Sequence, residues 1–170
     1  MRDIRVTTQL WQILLNDTKT AYAELKRDKL DSDLIRYRER TFIRTLFSMV
    51  EGTCFGMRYM CLKALQVSDT NKLDAITVEK LSEKKKYLRL EDAVKLSFAS
   101  VCKVLKWQFA LDMDDPGYAA LLRAKTVRNR LMHPKRSHEM LLLPKEISDA
   151  HEAAKWFARE MTRWKQSGER

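Results

Sequence analysis

Apolar residues recur at three- and four-residue intervals through most of the chain, the spacing of helices that bury one face. Leu10, Trp11, Leu14, Leu15, Thr18, Tyr22 and Leu25 predict a first amphipathic helix over 8–28. A polar break at 26–31 follows, where Asp31 or Ser32 can cap the next helix. Residues 33–67 hold no proline and predict one long helix, charged at Arg36, Arg38, Glu39 and Arg40. From Phe42 to Leu65 it is apolar almost all round, as expected at the centre of a bundle. Gly52 and Gly56, one turn apart, weaken that helix but let another backbone approach closely.

The second half repeats the pattern in shorter pieces. Residues 68–74 are a polar connection, and 77–88 make at most a short helix. Val94, Phe98, Val101, Leu105 and Phe109 predict a helix over 90–109. An acidic break at 112–115 precedes Pro116, where Asp115 suits the N-cap and proline the first helical position. That helix should end near His133, because Pro134 pushes its neighbour away from helical geometry. A basic loop at 135–138 and a short apolar connection lead to a last helix over 145–166. Ile147, Ala150, Ala154, Phe157, Met161 and Trp164 line one face of it. The sum is a single all-α domain over 1–170, an up-and-down helical bundle with long second and final helices.

Composition agrees with this fold and adds a partner class. With only 4 Gly and 3 Pro in 170 residues, the chain lacks the punctuation of an all-β fold. Lys and Arg outnumber Asp and Glu by 33 to 23, and the isoelectric point lies near 9.6. That excess favours a polyanionic partner, nucleic acid ahead of membrane, since no lipid-attachment motif is visible. The run Lys84, Lys85, Lys86 reads as a solvated face that could also meet phosphates. Cys54, Cys61 and Cys102 all sit in apolar surroundings. With no signal peptide and no membrane-length apolar run, a reducing, cytoplasmic setting with buried thiols is expected. Three histidines without zinc spacing, and no Gly-rich phosphate loop, leave no metal or cofactor expected.

The candidate chemistry gathers at Arg128-Asn129-Arg130-Leu131-Met132-His133. Successive helical residues turn by roughly 100°, so Ala120, Ala124, Val127 and Leu131 form a narrow core stripe with Arg128 on its edge. Arg123 and Arg130 share another edge and read as solvated. Tyr118, Leu122, Asn129 and His133 form a second line, read as the side facing a crevice shared between two chains. On the long helix, Arg40, Arg44, Glu51 and Arg58 lie on one line. Glu51 is the single acid between Phe42 and Leu65, so it should be paired, with Arg44, Arg58 or Arg128 within reach. It can be a structural ion pair or part of an active site.

A cation beside a histidine on a basic protein suits metal-independent RNA cleavage. A base takes the 2′-hydroxyl proton, an acid protonates the leaving 5′-oxygen, and a fixed cation stabilises the charge on the phosphorane. Histidine can serve either proton role, and arginine offers a planar fork to phosphate oxygens. One His133 per chain is short of two-step acid–base work; a symmetric dimer would supply a second.

The stretch from Arg128 to His133 resembles the Arg-x4-6-His signature of HEPN domains, with a polar Asn129 directly after the arginine. The setting is similar too: a long helix with an internal acid precedes the signature, and one amphipathic helix follows it. The resemblance covers most of the chain in layout and six residues as a motif. It implies a homodimeric helical bundle and, in many members, an endoribonuclease of toxin–antitoxin, phage-defence or RNA-processing systems. Carried over, Arg128 would hold the scissile phosphate, His133 would transfer protons, and Asn129 would orient substrate or histidine. Glu51 would be the acid of the long helix. Arg130, Lys135, Arg136 and Arg44 would then be RNA-binding cations. An antitoxin or regulatory protein would be a further partner. In HEPN toxins paired with a nucleotidyltransferase a tyrosine often stands two residues after the histidine; here that position is Lys135. Two other readings stay open: a non-catalytic module binding RNA, a nucleotide or a protein, and a structural domain in which Arg128 and Glu51 form a buried pair.

Overall fold

A computed structural model describes residues 2–27, 31–67, 73–82 and 88–169. Among them are six α-helices, one short 3-10 turn and no strands. The helices are α1 (Arg2–Leu25), α2 (Ser32–Val67), α3 (Ala75–Ser82), α4 (Leu90–Leu105), α5 (Pro116–Met132) and α6 (Pro144–Ser167). The expected all-α bundle is what forms. The Lys84–Lys86 run lies outside the described residues.

α2 is the central helix, packed against α1 on one side and α4 on the other, while α5 pairs with α6. Phe42, Phe47, Phe98, Trp156, Phe157 and Trp164 fill the interior with almost no exposure. Cys54, Cys61 and Cys102 are free, buried thiols, and burial pushes the first two up to about 12 and the third to about 11. The two glycines of α2 serve α1. A β-carbon on Gly52 would meet Leu14 Cδ1 at 2.7 Å, and one on Gly56 would meet Thr7 Cγ2 at 3.1 Å. The same seam carries two hydroxyl links, Thr7 Oγ1 to the Gly56 carbonyl and Thr18 Oγ1 to the Thr45 carbonyl.

Two expectations from periodicity are corrected. α2 is not enclosed all round: Arg44, Ser48, Glu51, Phe55 and Tyr59, at spacings of four, three, four and four, form an exposed stripe. α4 stops at Leu105 rather than 109, where Lys106 takes the left-handed conformation (φ 60°, ψ 33°). The chain beyond it becomes a strap held by tertiary contacts. Trp107 packs on Trp164 (5.0 Å) and Phe109 stacks on Phe98 (5.6 Å). The buried Glu160 carboxylate accepts the Asp112 N–H, and Trp156 Nε1 donates to the Asp112 carbonyl. Phe109 therefore reaches the core at helical spacing without being helical. α1 also begins earlier than expected, at Arg2.

Candidate functional site

α5 is placed by its first turn. Asp115 accepts the Gly117 N–H at 2.7 Å as the N-cap, Pro116 occupies the first helical position, and Arg159 of α6 closes on Asp115 at 2.6 Å. Gly117 lies under Trp156, so close that a β-carbon there would stand 2.3 Å from Trp156 Cβ. At the far end His133 leaves helical geometry (φ −133°, ψ 57°) while its N–H still reaches the Asn129 carbonyl at 3.1 Å. Pro134 follows, as expected of a proline-terminated helix.

Arg128 meets Glu51 across 77 positions of sequence. Its Nη2 donates to Glu51 Oε1 at 2.9 Å, its Nη1 donates to Asn129 Oδ1 at 3.2 Å, and its plane lies 5.9 Å from the Phe47 ring. Of the three candidate partners for Glu51, this is the one engaged. The carboxylate is not buried: the Glu51 side chain is 46% exposed and that of Arg128 23% exposed. An ion pair this open to water contributes about 0–1 kcal/mol, so it orients the guanidinium more than it stabilises the fold.

These three residues line a groove of about 870 Å³ between α2, the end of α3, the start of α4 and α5. Phe47, Phe55 and Tyr59 supply its aromatic surface; Arg58, Arg89, Lys125 and Arg128 are its cations and Glu51 is its one carboxylate among the described residues. Arg58 donates to the Lys80 and Leu81 carbonyls, which are neutral acceptors. Lys125 is paired with Glu91 at 2.7 Å, and this hydrogen bond holds the Glu91 carboxyl below the usual range.

The other predicted residues fall elsewhere. Arg44 is exposed on the same stripe of α2 as Glu51, two turns before it, and does not line the groove. Lys135 and Arg136 are exposed in the turn after α5, where the Lys135 N–H donates to Glu139. His133 is exposed at the end of the helix and is not part of the groove wall. Arg123 is exposed, as expected, and Arg130 is partly covered, but both are paired with carboxylates of α6. Arg123 forms a two-pronged pair with Asp149, whose pKa this hydrogen bonding lowers. Arg130 forms a two-pronged pair with Glu146 and also donates to the Leu141 carbonyl. Arg130 is thus a structural cation in this conformation. The second line of α5 is divided as well: Tyr118 is buried against Trp156 (5.2 Å), and only Asn129 and His133 of the four are exposed. His151 is packed, stacked on Tyr22 at 3.8 Å, and burial lowers its pKa.

Sequence reasoning missed Phe55, Tyr59, Arg89 and Lys125. The signal for the first two was available, since Arg44 and Glu51 mark an open stripe of α2 whose continuation at helical spacing runs through Phe55 and Tyr59. Among the described residues no three His, Cys, Asp or Glu side chains are grouped to hold a metal, and no helix is long and apolar enough to cross a membrane. No family model, curated protein or solved structure matches the chain.

Proposed function

We propose that the protein is a metal-independent endoribonuclease of HEPN type, working as a homodimer. The carrying observation is that Glu51 and Asn129 hold the Arg128 guanidinium in the wall of a cation-rich groove, with His133 five residues further along at the end of the same helix. Because the Glu51 pair is open to water, a phosphate oxygen can replace the carboxylate on the Arg128 fork without a large loss of stability. In the reaction one His133 accepts the proton of an RNA 2′-hydroxyl, the oxygen attacks the adjacent phosphorus, and Arg128 stabilises the added negative charge. The 5′-oxygen leaves with a proton from the second copy's histidine, giving a 2′,3′-cyclic phosphate and a 5′-hydroxyl. Exposed Arg44, Lys135 and Arg136 extend the positive surface for the RNA backbone. The biological setting we propose is toxin–antitoxin or phage defence in the cytoplasm, with an antitoxin or regulatory protein restraining the nuclease.

One observation favours a second reading, a HEPN-like module that binds RNA without cutting it: His133 stands outside the groove wall. Incubating purified protein with total RNA in EDTA separates the two. Cleavage is expected, with cyclic-phosphate ends, and His133→Ala should reduce it by about 10²–10⁴-fold at unchanged helicity. Equal cutting by both proteins refutes the assignment of His133, while salt-sensitive binding with no cleavage by the wild type selects the second reading.

A further inference from the structure

The groove holds two features that phosphate chemistry does not use. Phe55 is 69% exposed and Tyr59 49% exposed, both large rings on the wall of a groove that also carries four cations. They are four residues apart on α2, hence on one face and about 6 Å apart along the helix axis. Adjacent bases in a stacked strand are separated by roughly 3.4 Å, so a strand that covers both rings must have its bases spread apart. In a duplex the base faces are covered by their neighbours; only unpaired nucleotides can offer them to protein rings.

We propose that this groove takes an unpaired RNA strand, with Phe55 as its principal base-stacking platform and Tyr59 as the second. The proposal rests on the ribonuclease reading for the identity of the nucleic acid, and it adds the substrate class and the residues that select it. Charge decides between this occupant and a protein. Arg58 donates to neutral backbone carbonyls, Arg89 is exposed, and the chain as a whole carries +10. A second copy sealing the groove would set these cations against their own equivalents, whereas a strand brings one phosphate per ring-stacked base. Tyr59 is the lesser platform because the Lys63 ammonium already lies 5.3 Å from its ring.

The test uses 2′-O-methyl oligonucleotides, which lack the attacking hydroxyl, so binding is read without cleavage. Fluorescence anisotropy at fixed salt should show the wild type binding a labelled single-stranded 12-mer at least tenfold tighter than the same sequence as a duplex. Phe55→Ala and Phe55→Leu should each weaken single-strand binding about tenfold and abolish the fluorescence change of a 2-aminopurine placed in the strand; Tyr59→Ala should lose less, and Tyr59→Phe little. Circular dichroism should show all four variants folded, since both side chains point to solvent. Equal affinity for duplex, no binding, full retention by Phe55→Leu, or a change of oligomeric state in Phe55→Ala in place of a binding change would each overturn the proposal. Failure here is distinct from failure of the nuclease reading: cleavage of RNA that is indifferent to Phe55 removes the platform alone, and ring-dependent binding without cleavage removes the nuclease alone.

Discussion

The two long faces of α5 carry the same residue type and treat it in opposite ways. Toward α6, Arg123 and Arg130 are each gripped by both oxygens of a carboxylate, and Arg159 returns the contact to Asp115. Toward α2, Arg128 has one carboxylate oxygen, half open to water, and a neighbouring amide. Arg128 and Arg130 are two positions apart, so helix position and not residue type separates a clamp from an available cation. A guanidinium gripped by both oxygens of a carboxylate on the next helix holds two helices together; one held by a weak, exposed partner is oriented and remains able to accept a better anion.

The packed face should therefore be intolerant, beginning at its tightest point. Gly117→Ala places a methyl group 2.3 Å from Trp156 Cβ and 2.9 Å from Asp115 Oδ1, threatening the aromatic contact and the N-cap together. An overpacked site that must also give up a cap is expected to lose about 3 kcal/mol, or roughly 6–12 °C in a chain of this size. A melting temperature within 2 °C of wild type would show that α5 and α6 slide freely, and the description of this face as locked would fall.

Glu146 should come next. Its carboxylate receives both Arg130 Nη atoms and, as the third residue of α6, the Leu143 N–H. Glu146→Ala leaves three donors without that acceptor and should cost about 2 kcal/mol. Denaturation of Glu146→Ala, Arg130→Ala and the double variant gives the decisive number: a coupling above about 1 kcal/mol is expected, and additive losses would mean the pair is no clamp.

The contrast also marks how far the sequence could be read. The bundle, the ends of α5 and the buried cysteines were legible because apolar spacing, proline and a capping aspartate act locally. The Arg128–Glu51 meeting was narrowed to three arginines, since one acid on an apolar helix demands a partner without naming it. What failed were inferences about what surrounds a helix face. Arg130 looks solvated on a helical wheel, and only the approach of α6 supplies Glu146. Tyr118 shares a wheel line with His133, yet Trp156 covers one end of the line and nothing among the described residues covers the other. Phe109 keeps helical spacing while leaving the helix, because Phe98 and Glu160 fix the strap from outside.

The smallest expected change in stability is the most informative about function. Glu51→Ala removes the groove's one carboxylate among the described residues and should alter folding stability by no more than about 0.5 kcal/mol, because the pair is exposed. If Glu51 orients Arg128, cleavage should nevertheless fall about tenfold, while binding of an uncleavable RNA at low salt stays level or tightens as the groove becomes more positive. Glu51→Gln keeps an oxygen acceptor for the guanidinium and should recover most of the cleavage. A loss of melting temperature as large as that of Glu146→Ala would place Arg128 among the clamps, and the two faces of α5 would then differ in neighbours but not in kind.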